Sequence, residues 1–551
     1  MAREGYTPYQ FQSFAGGLNL RDKADVVSDA EAIDLLNVTF TKRGAIQQRD
    51  GYVDLTAALT NRVDSLGVFY TASGTRQLLA GCGTRLEALS TAGAVVASQT
   101  GLAGGPYVFA RTAAPGSEFA YAANGTDTLQ RWSGSAWSSG ASSATVNGAG
   151  SAAMPKAGAV TVTAAAPGLS SSTNAANRLV ATAYGTATTN GPGGTTSNPS
   201  RVHFSNPGLP ETWETDGSSG RGRNFIDLTP GDGEQILNAV RWRELVFVFK
   251  QTKFFVIYGE STDAAGLPVF NYREVNTGVG LAAKLAVAPA RDGVYFMDRG
   301  GVYVTTGGEP KLISGKIGPI WTGDVEVYFQ SEVLNAAQIA LARMAWNEAD
   351  ELLYLALPTG VASANDRVLV FDTEHGWWSL FDIPASALVA FRRGDLPELH
   401  FGYSTGANKV GRLSTSADDD SAVAITSRWR SGWGDYGDPA VKTVRESKLW
   451  GSGAATVRYS KDFETTPTEV DTVIFAGSAT WPTSGTWADW IALNNGVWPG
   501  VGQINSVLSR KAVRATAFST EFANNAASSS WGIHRVAKHL REKRVESVEH
   551  T

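Results

Sequence analysis

From about residue 61 to 415 the chain alternates apolar and polar side chains over short stretches, each ended by glycine, asparagine or aspartate. A period of two places alternate side chains on opposite faces of a strand, so each stretch reads as one strand of an antiparallel hairpin. Gln77-Leu78-Leu79-Ala80-Gly81-Cys82 turns at Gly83-Thr84, and Phe119-Ala120-Tyr121-Ala122-Ala123 turns at Asn124-Gly125. Later members diverge but keep the plan. Leu245-Val246-Phe247-Val248-Phe249 follows the turn Arg243-Glu244. Val294-Tyr295-Phe296-Met297 turns at Asp298-Arg299-Gly300-Gly301. Leu352-Leu353-Tyr354-Leu355-Ala356-Leu357, Val368-Leu369-Val370-Phe371 and Leu399-His400-Phe401-Gly402-Tyr403 continue the series. A loose period of about 40–50 residues with several strands per unit is the signature of propeller blades, because a lone four-stranded sheet cannot bury both faces until a neighbour stacks on each. The expectation is an all-β chain whose residues 61–415 form a β-propeller of six or seven divergent blades. Loop insertions are expected near 138–176, rich in Ser, Ala, Gly and Thr, and near 185–200.

The two ends read differently. Residues 1–60 form an N-terminal extension. Ser28-Asp29-Ala30-Glu31-Ala32 supplies an N-cap pattern, and Ala32, Leu35 and Leu36 share one helical face, which predicts a short helix there. Asn37-Val38-Thr39-Phe40 and Ala45-Ile46-Gln47-Gln48-Arg49 predict two strands about the turn Lys42-Arg43-Gly44. After Asp418-Asp419-Asp420 the texture changes, and residues 421–540 are expected to form a C-terminal β-sandwich-like domain. Its strands would include Ile425 to Trp429, Val457-Arg458-Tyr459-Ser460 and Ala512 to Phe518, followed by a charged tail at 541–551.

Composition narrows the function classes. Of 551 residues, 43% are hydrophobic and 18% charged, with 60 glycines, which suits a large packed core joined by tight turns. The net charge of −5 does not provide the basic surface that gripping nucleic acid requires. One cysteine, Cys82, rules out an intramolecular disulfide. Residues 1–14 lack the apolar run of a signal peptide, and no stretch reaches the ~20 apolar residues of a membrane-spanning helix.

Candidate chemistry is sparse. Asp418-Asp419-Asp420 offers carboxylate oxygens to a cation but lacks the ligand spacing and glycine of a calcium loop. His203, His375, His400, His534, His539 and His550 show no zinc-binding spacing. Gly278-Val279-Gly280 lacks the following Lys-Ser/Thr of a phosphate cradle, and no serine sits in a nucleophile elbow. Asp227, Asp232, Glu234 and Asp298 are the acids considered for glycoside hydrolysis, but they lie in turns, where carboxylates serve local hydrogen bonds. The expectation is therefore a chain with no catalytic residues, cofactor or metal. Trp481, Trp487, Trp490 and Trp498 would pack in a small core, anchor a subunit interface or stack on a glycan.

Several segments, in order, resemble the starts and blades of bacteriophage tail proteins: Gly16-Gly17-Leu18-Asn19, Asp34-Leu35-Leu36-Asn37-Val38, Gly44-Ala45 and Arg49-Asp50-Gly51-Tyr52. Val202-His203-Phe204-Ser205 with Pro210-Glu211-Thr212-Trp213, Leu245 to Lys250 leading to Val256-Ile257-Tyr258, Gly278 to Lys284, Gly293-Val294-Tyr295-Phe296, Gly301-Val302-Tyr303 and Phe371-Asp372 with Trp377-Trp378 extend the match over most of 14–415 and, more faintly, into the C-terminal domain. The resemblance implies a non-enzymatic virion component of the tail-nozzle or hub type, made in the bacterial cytoplasm. Such a protein forms a homo-oligomeric, typically hexameric, ring below the portal and adaptor. It holds tail fibres and prolongs a channel through which DNA passes without sequence-specific binding. Six such chains would carry a charge of roughly −30, and an acidic lumen would repel sliding phosphates. The rival expectations are a glycan-binding tail-tip protein and a glycan depolymerase.

Overall fold

The computed structural model describes residues 7–542 except 12, 115–116, 140–143, 147–148, 153–156, 163–177, 183–198, 207–208, 214–224, 263–267, 326, 436–440, 465, 468, 476–504, 510–512 and 527–528. The chain is all-β, a seven-bladed propeller with an N-terminal extension and a C-terminal β-sandwich-like domain.

The first blade runs Val63–Tyr70, Arg76–Cys82, Arg85–Ser90 and Val95–Gln99 from the axis outward, each strand antiparallel to the last. The second begins with Val108–Ala114, the fourth with Asn238–Trp242, the fifth with Val287–Pro289 and the sixth with Arg343–Asn347; each again has four strands. The third, built on Ala159–Val162, Leu179–Thr182, Arg201–Asn206 and Phe225–Asp227, also carries Leu209–Trp213, Ala144–Val146 and Ala149–Ala152. The seventh takes three strands from Ala385–Phe391, Glu398–Tyr403 and Val410–Leu413. Its fourth is Tyr52–Asp54, contributed from the other end of the chain. That strand closes the ring: Asp54 accepts from Tyr403 Oη at 2.7 Å and from Lys409 Nζ at 2.6 Å. Inner strands seven and one meet through Ser386 Oγ, which donates to the Val63 carbonyl at 2.5 Å.

Each gap between blades is filled by apolar side chains, which explains the alternating pattern. Phe69, Leu79 and Ala88 meet Ala120 and Trp132 between blades one and two. Phe247, Phe249 and Phe254 meet Phe296 between four and five, with the Phe249 and Phe296 rings 5.0 Å apart. Val63, Leu78 and Ala80 meet Ala387, Phe391 and Val410 across the closure. Each buried Val, Leu or Phe contributes about 1.5–3 kcal/mol, and interdigitation across a gap is what makes a single blade depend on its neighbours.

The two chain ends form one further body. Strands Thr7–Phe11, Gly17–Leu18, Glu31–Leu36, Val38–Phe40 and Ile46–Gln48 share a sheet system with Ser427–Ser431, Lys442–Lys461, Phe518–Asn524 and Trp531–Glu542. The 20-residue strand Lys442–Lys461 belongs to both layers. Its first part pairs with Trp531–Glu542, and its last part with Phe518–Asn524. The change falls at Gly451 and Gly453, where the register shifts and Gly453 has φ +70°. Glycine is suited to such a corner because it carries no side chain into the crossing strand.

The helix expected over residues 28–36 is not formed. Glu31–Leu36 is a strand whose six residues are all buried, parallel to Gly17–Leu18 on one side and antiparallel to Ser427–Ser431 on the other. A helix would bury one stripe of this segment, whereas a strand between two others buries both faces, including Ile33 and Asp34, which the helical reading left outside. The expected turn at Lys42-Arg43-Gly44 is present, with Gly44 at φ +78°.

Candidate functional site

Two of the places where charged side chains are buried or half-buried are the junction between the terminal body and the propeller, and one end of the propeller bore. The junction is built around Arg49, in the connection between Ile46–Gln48 and the closing strand Tyr52–Asp54. Its side chain is 2% exposed. Nη1 and Nη2 donate to the two carboxylate oxygens of Asp420 at 2.8 and 2.6 Å, and Nη2 also donates to Asp382 Oδ1 at 3.0 Å. Nε donates to Asn37 Oδ1 at 2.8 Å, and Phe381 and Tyr52 flank the guanidinium. Asp382 follows the outer strand of blade six, Asp420 follows blade seven, and Asn37 belongs to the terminal body. One planar cation thus ties three parts of the chain, the fork geometry to which arginine is suited. Burial raises the Asp420 carboxyl above its ordinary pKa against the pull of Arg49.

Around this centre the docking is tight. Asn37 adopts φ +54°, a conformation asparagine tolerates, and its N–H donates to the Leu380 carbonyl at 2.7 Å while Nδ2 donates to Thr426 O at 2.8 Å. Gly17, at φ +74°, lies so close to blade six that a Cβ there would stand 2.7 Å from Trp377 Cβ. Phe40 packs on Trp377 with centroids 4.6 Å apart. The apolar cluster between blades five and six, with Tyr295, Met297, Leu353 and Phe371, is continuous with the core of the terminal body, with Phe14, Trp429, Val457 and Trp531.

At the bore, the starts of the inner strands gather at one end. Lys284, just before blade five's inner strand, extends to blade two, where Nζ donates to the carbonyls of Pro106 (3.2 Å) and Asn124 (3.4 Å). Blades five and two are three steps apart in a ring of seven, so this side chain crosses the bore. Arg343, at the start of blade six's inner strand, donates Nη1 to the carbonyls of Ala340 and Ala342. Arg62 and Asp64 pair at 2.9 Å at the start of blade one and, with Asn61, Gly83 and Thr84, line a cleft of about 360 Å³ at the same end. Burial pushes the Lys284 ammonium down to about 8, with the nearby Arg343 charge adding to the shift.

The residues singled out from sequence are dispersed. Asp420 serves Arg49, and Asp419 accepts from the Ala422 N–H. Among the described residues no group of three or more His, Cys, Asp or Glu is arranged to hold a metal ion. Asp227 pairs with Arg201 at 2.6 Å, Glu234 accepts from Thr252, and Asp298 accepts from the Gly280 and Gly300 N–H groups. Burial would raise the Asp232 carboxyl, but bonds from buried Lys250 at 2.8 Å and from Lys253 at 3.1 Å hold it well below the usual range. His203 and His400 are buried, which lowers them to about 3 and about 4. His375 meets Asp372 and His539 meets Glu446, in different parts of the fold. Trp481, Trp487, Trp490, Trp498 and His550 lie outside the described residues. Arg49, Lys284 and Arg343 were not among the candidates. The available signal was a lone cation in an apolar run, as in Leu281-Ala282-Ala283-Lys284-Leu285-Ala286-Val287 and Ala342-Arg343-Met344-Ala345-Trp346.

No family model and no curated protein matches the chain. Among solved structures, BBS1N in its complex with ARL6DN is similar at 12% identity and TM-score 0.40 in lead-soaked crystals, and at 11% and 0.38 in mercury-soaked crystals. Each comparison covers 67% of this chain and 99% of that one. The propeller assignment rests on the strand pairing above. No described helix is long and apolar enough to cross a membrane.

Proposed function

We propose that this chain is a structural component of a bacteriophage tail, a nozzle or hub subunit that joins copies of itself into a ring, hexameric in this reading, and performs no chemistry. The observation that carries the reading is where the tail-protein-like segments fall. Gly16-Gly17-Leu18-Asn19, Asp34 to Val38 and Arg49-Asp50-Gly51-Tyr52 lie more than three hundred residues from Phe371-Asp372 and Trp377-Trp378, yet they meet at one junction around Arg49, Asn37 and Gly17. They are the residues that dock a body made of both termini onto blades six and seven, so a chain sharing them shares the docking.

In this reading the DNA path is the axis that the subunits share, since Lys284 crosses the bore of each propeller. Adaptor, portal-proximal proteins and fibres would attach to the ring, and the terminal body would set the angle of each propeller in it. Cryo-electron microscopy of virions carrying this chain tests the proposal. The expected image is a ring of propellers below the portal, with density matching the terminal body. A tail without that density, or cleavage of cell-surface polysaccharide by the purified chain, overturns it.

A further inference from the structure

We propose that the end of the propeller bore where the inner strands begin is a binding site for a small inorganic oxyanion of the phosphate or sulfate class, held by Lys284 and Arg343 with Arg62 at its mouth. The inference concerns a ligand of the propeller and does not depend on the tail reading.

Buried charges in proteins are ordinarily paired, because removing an ion from water costs several kcal/mol. On this axis Arg343 is buried and Lys284 half-buried, and both are exceptions. Neither makes an ion pair with a described carboxylate, and their bonds go to main-chain carbonyls of Pro106, Asn124, Ala340 and Ala342. Asp64, the acid acting on Arg343, is already paired with Arg62. Lys284, Arg343 and Arg62 therefore gather at an end of the bore where Asp64 is held by Arg62 and Asp127 accepts from Asn124.

Arg343 is 6% exposed, and its Nε is a buried donor with no partner. An orphaned donor at such a depth costs about 1–3 kcal/mol, which an acceptor oxygen would offset. Arg343 stays charged at neutral pH, and Lys284, pushed down to about 8 mainly by burial, donates to main-chain carbonyls. A tetrahedral oxyanion supplies both missing elements, negative charge and several acceptors in a compact volume. A cleft of about 360 Å³ lined by Asn61, Arg62, Asp64, Gly83 and Thr84 opens at the same end of the propeller, on blade one.

The test is isothermal titration of the full-length chain with inorganic phosphate at constant ionic strength, chloride being the balancing anion. Saturable binding of one phosphate per chain is expected, with sulfate competing. Lys284→Met and Arg343→Met should each weaken it about tenfold, the loss of one charged hydrogen bond. Arg62→Gln changes an exposed side chain, leaves folding intact and should weaken binding about threefold. Absence of saturable binding to the unaltered chain overturns the proposal. So does an unchanged affinity in folded Lys284→Met, or, if that variant does not fold, in Arg62→Gln.

Discussion

In the blades, strands that pair are mostly sequence neighbours, joined by turns of a few residues, whereas in the terminal body they come from opposite ends of the chain. Arg76–Cys82 pairs with Arg85–Ser90 across two residues; Thr7–Phe11 pairs with Trp531–Glu542 across more than five hundred. Local pairing costs little loop entropy, and every blade repeats it, so a blade is specified almost by its own sequence. The terminal body has no such economy. Its core unites segments from both ends of the chain, and Arg49 holds the point where residues 50 and 420 meet. The closing strand Tyr52–Asp54 links the two regimes, since it completes the last blade and begins where the terminal body ends.

The strongest way to break this comparison is to delete residues 1–48. The deletion removes five strands and bares the edges of Ser427–Ser431 and Trp531–Glu542, while leaving Tyr52–Asp54 in place. The terminal body should lose its hydrogen-exchange protection while blades one to five keep theirs. Equal protection in the deleted and intact chains would show that residues 421–542 fold without the N-terminal strands. Next in size, Arg49→Ala leaves buried Asp420 and half-buried Asp382 beside one another without their cation. It should cost about 3–5 kcal/mol in denaturant unfolding and uncouple the terminal body from the propeller. A single transition with an unchanged midpoint would refute the clamp.

A pH experiment sharpens the comparison from the propeller side. His203 in blade three and His400 in blade seven titrate at about 3 and about 4 in the folded chain, below the unfolded value of about 6.5. The unfolded chain therefore binds protons that the folded one refuses, so stability is full above that value and falls as pH drops below it. Between pH 6.5 and 5.5 the two groups together should cost on the order of 2 kcal/mol, seen as a falling denaturation midpoint of the propeller. A midpoint that stays flat across that interval contradicts the burial of these rings. The smallest effect separates two glycines with positive φ. Gly74→Ala in an open blade turn should cost about 1 kcal/mol. Gly17→Ala should cost at least twice that, because its Cβ would press on Trp377. Equal costs would mean that the junction yields as easily as a surface turn.

How much of this was legible follows from the same physics. The period-two pattern and the turn residues marked the blades because each hairpin carries its own signal. The completion of the seventh blade rests on Tyr52–Asp54 joining Val410–Leu413, a pairing that no local pattern announces. Residues 28–36 show the opposite failure: a cap-like serine and leucines at helical spacing spelled a helix, and flanking strands from distant positions overrode it. Of the candidate site, the acids and histidines were visible as residue types, but which are paired is a spatial fact.

By itself, then, the sequence determined an all-β chain with repeated hairpins, apolar faces needing cover and few groups capable of chemistry. Tertiary structure alone decided that the two ends share one sheet system, that Arg49 meets Asp382 and Asp420, and that Lys284 crosses the bore to blade two. The physical reason is range: side-chain alternation and turn chemistry act over a few residues, while closing a ring and burying a charge depend on partners hundreds of positions away.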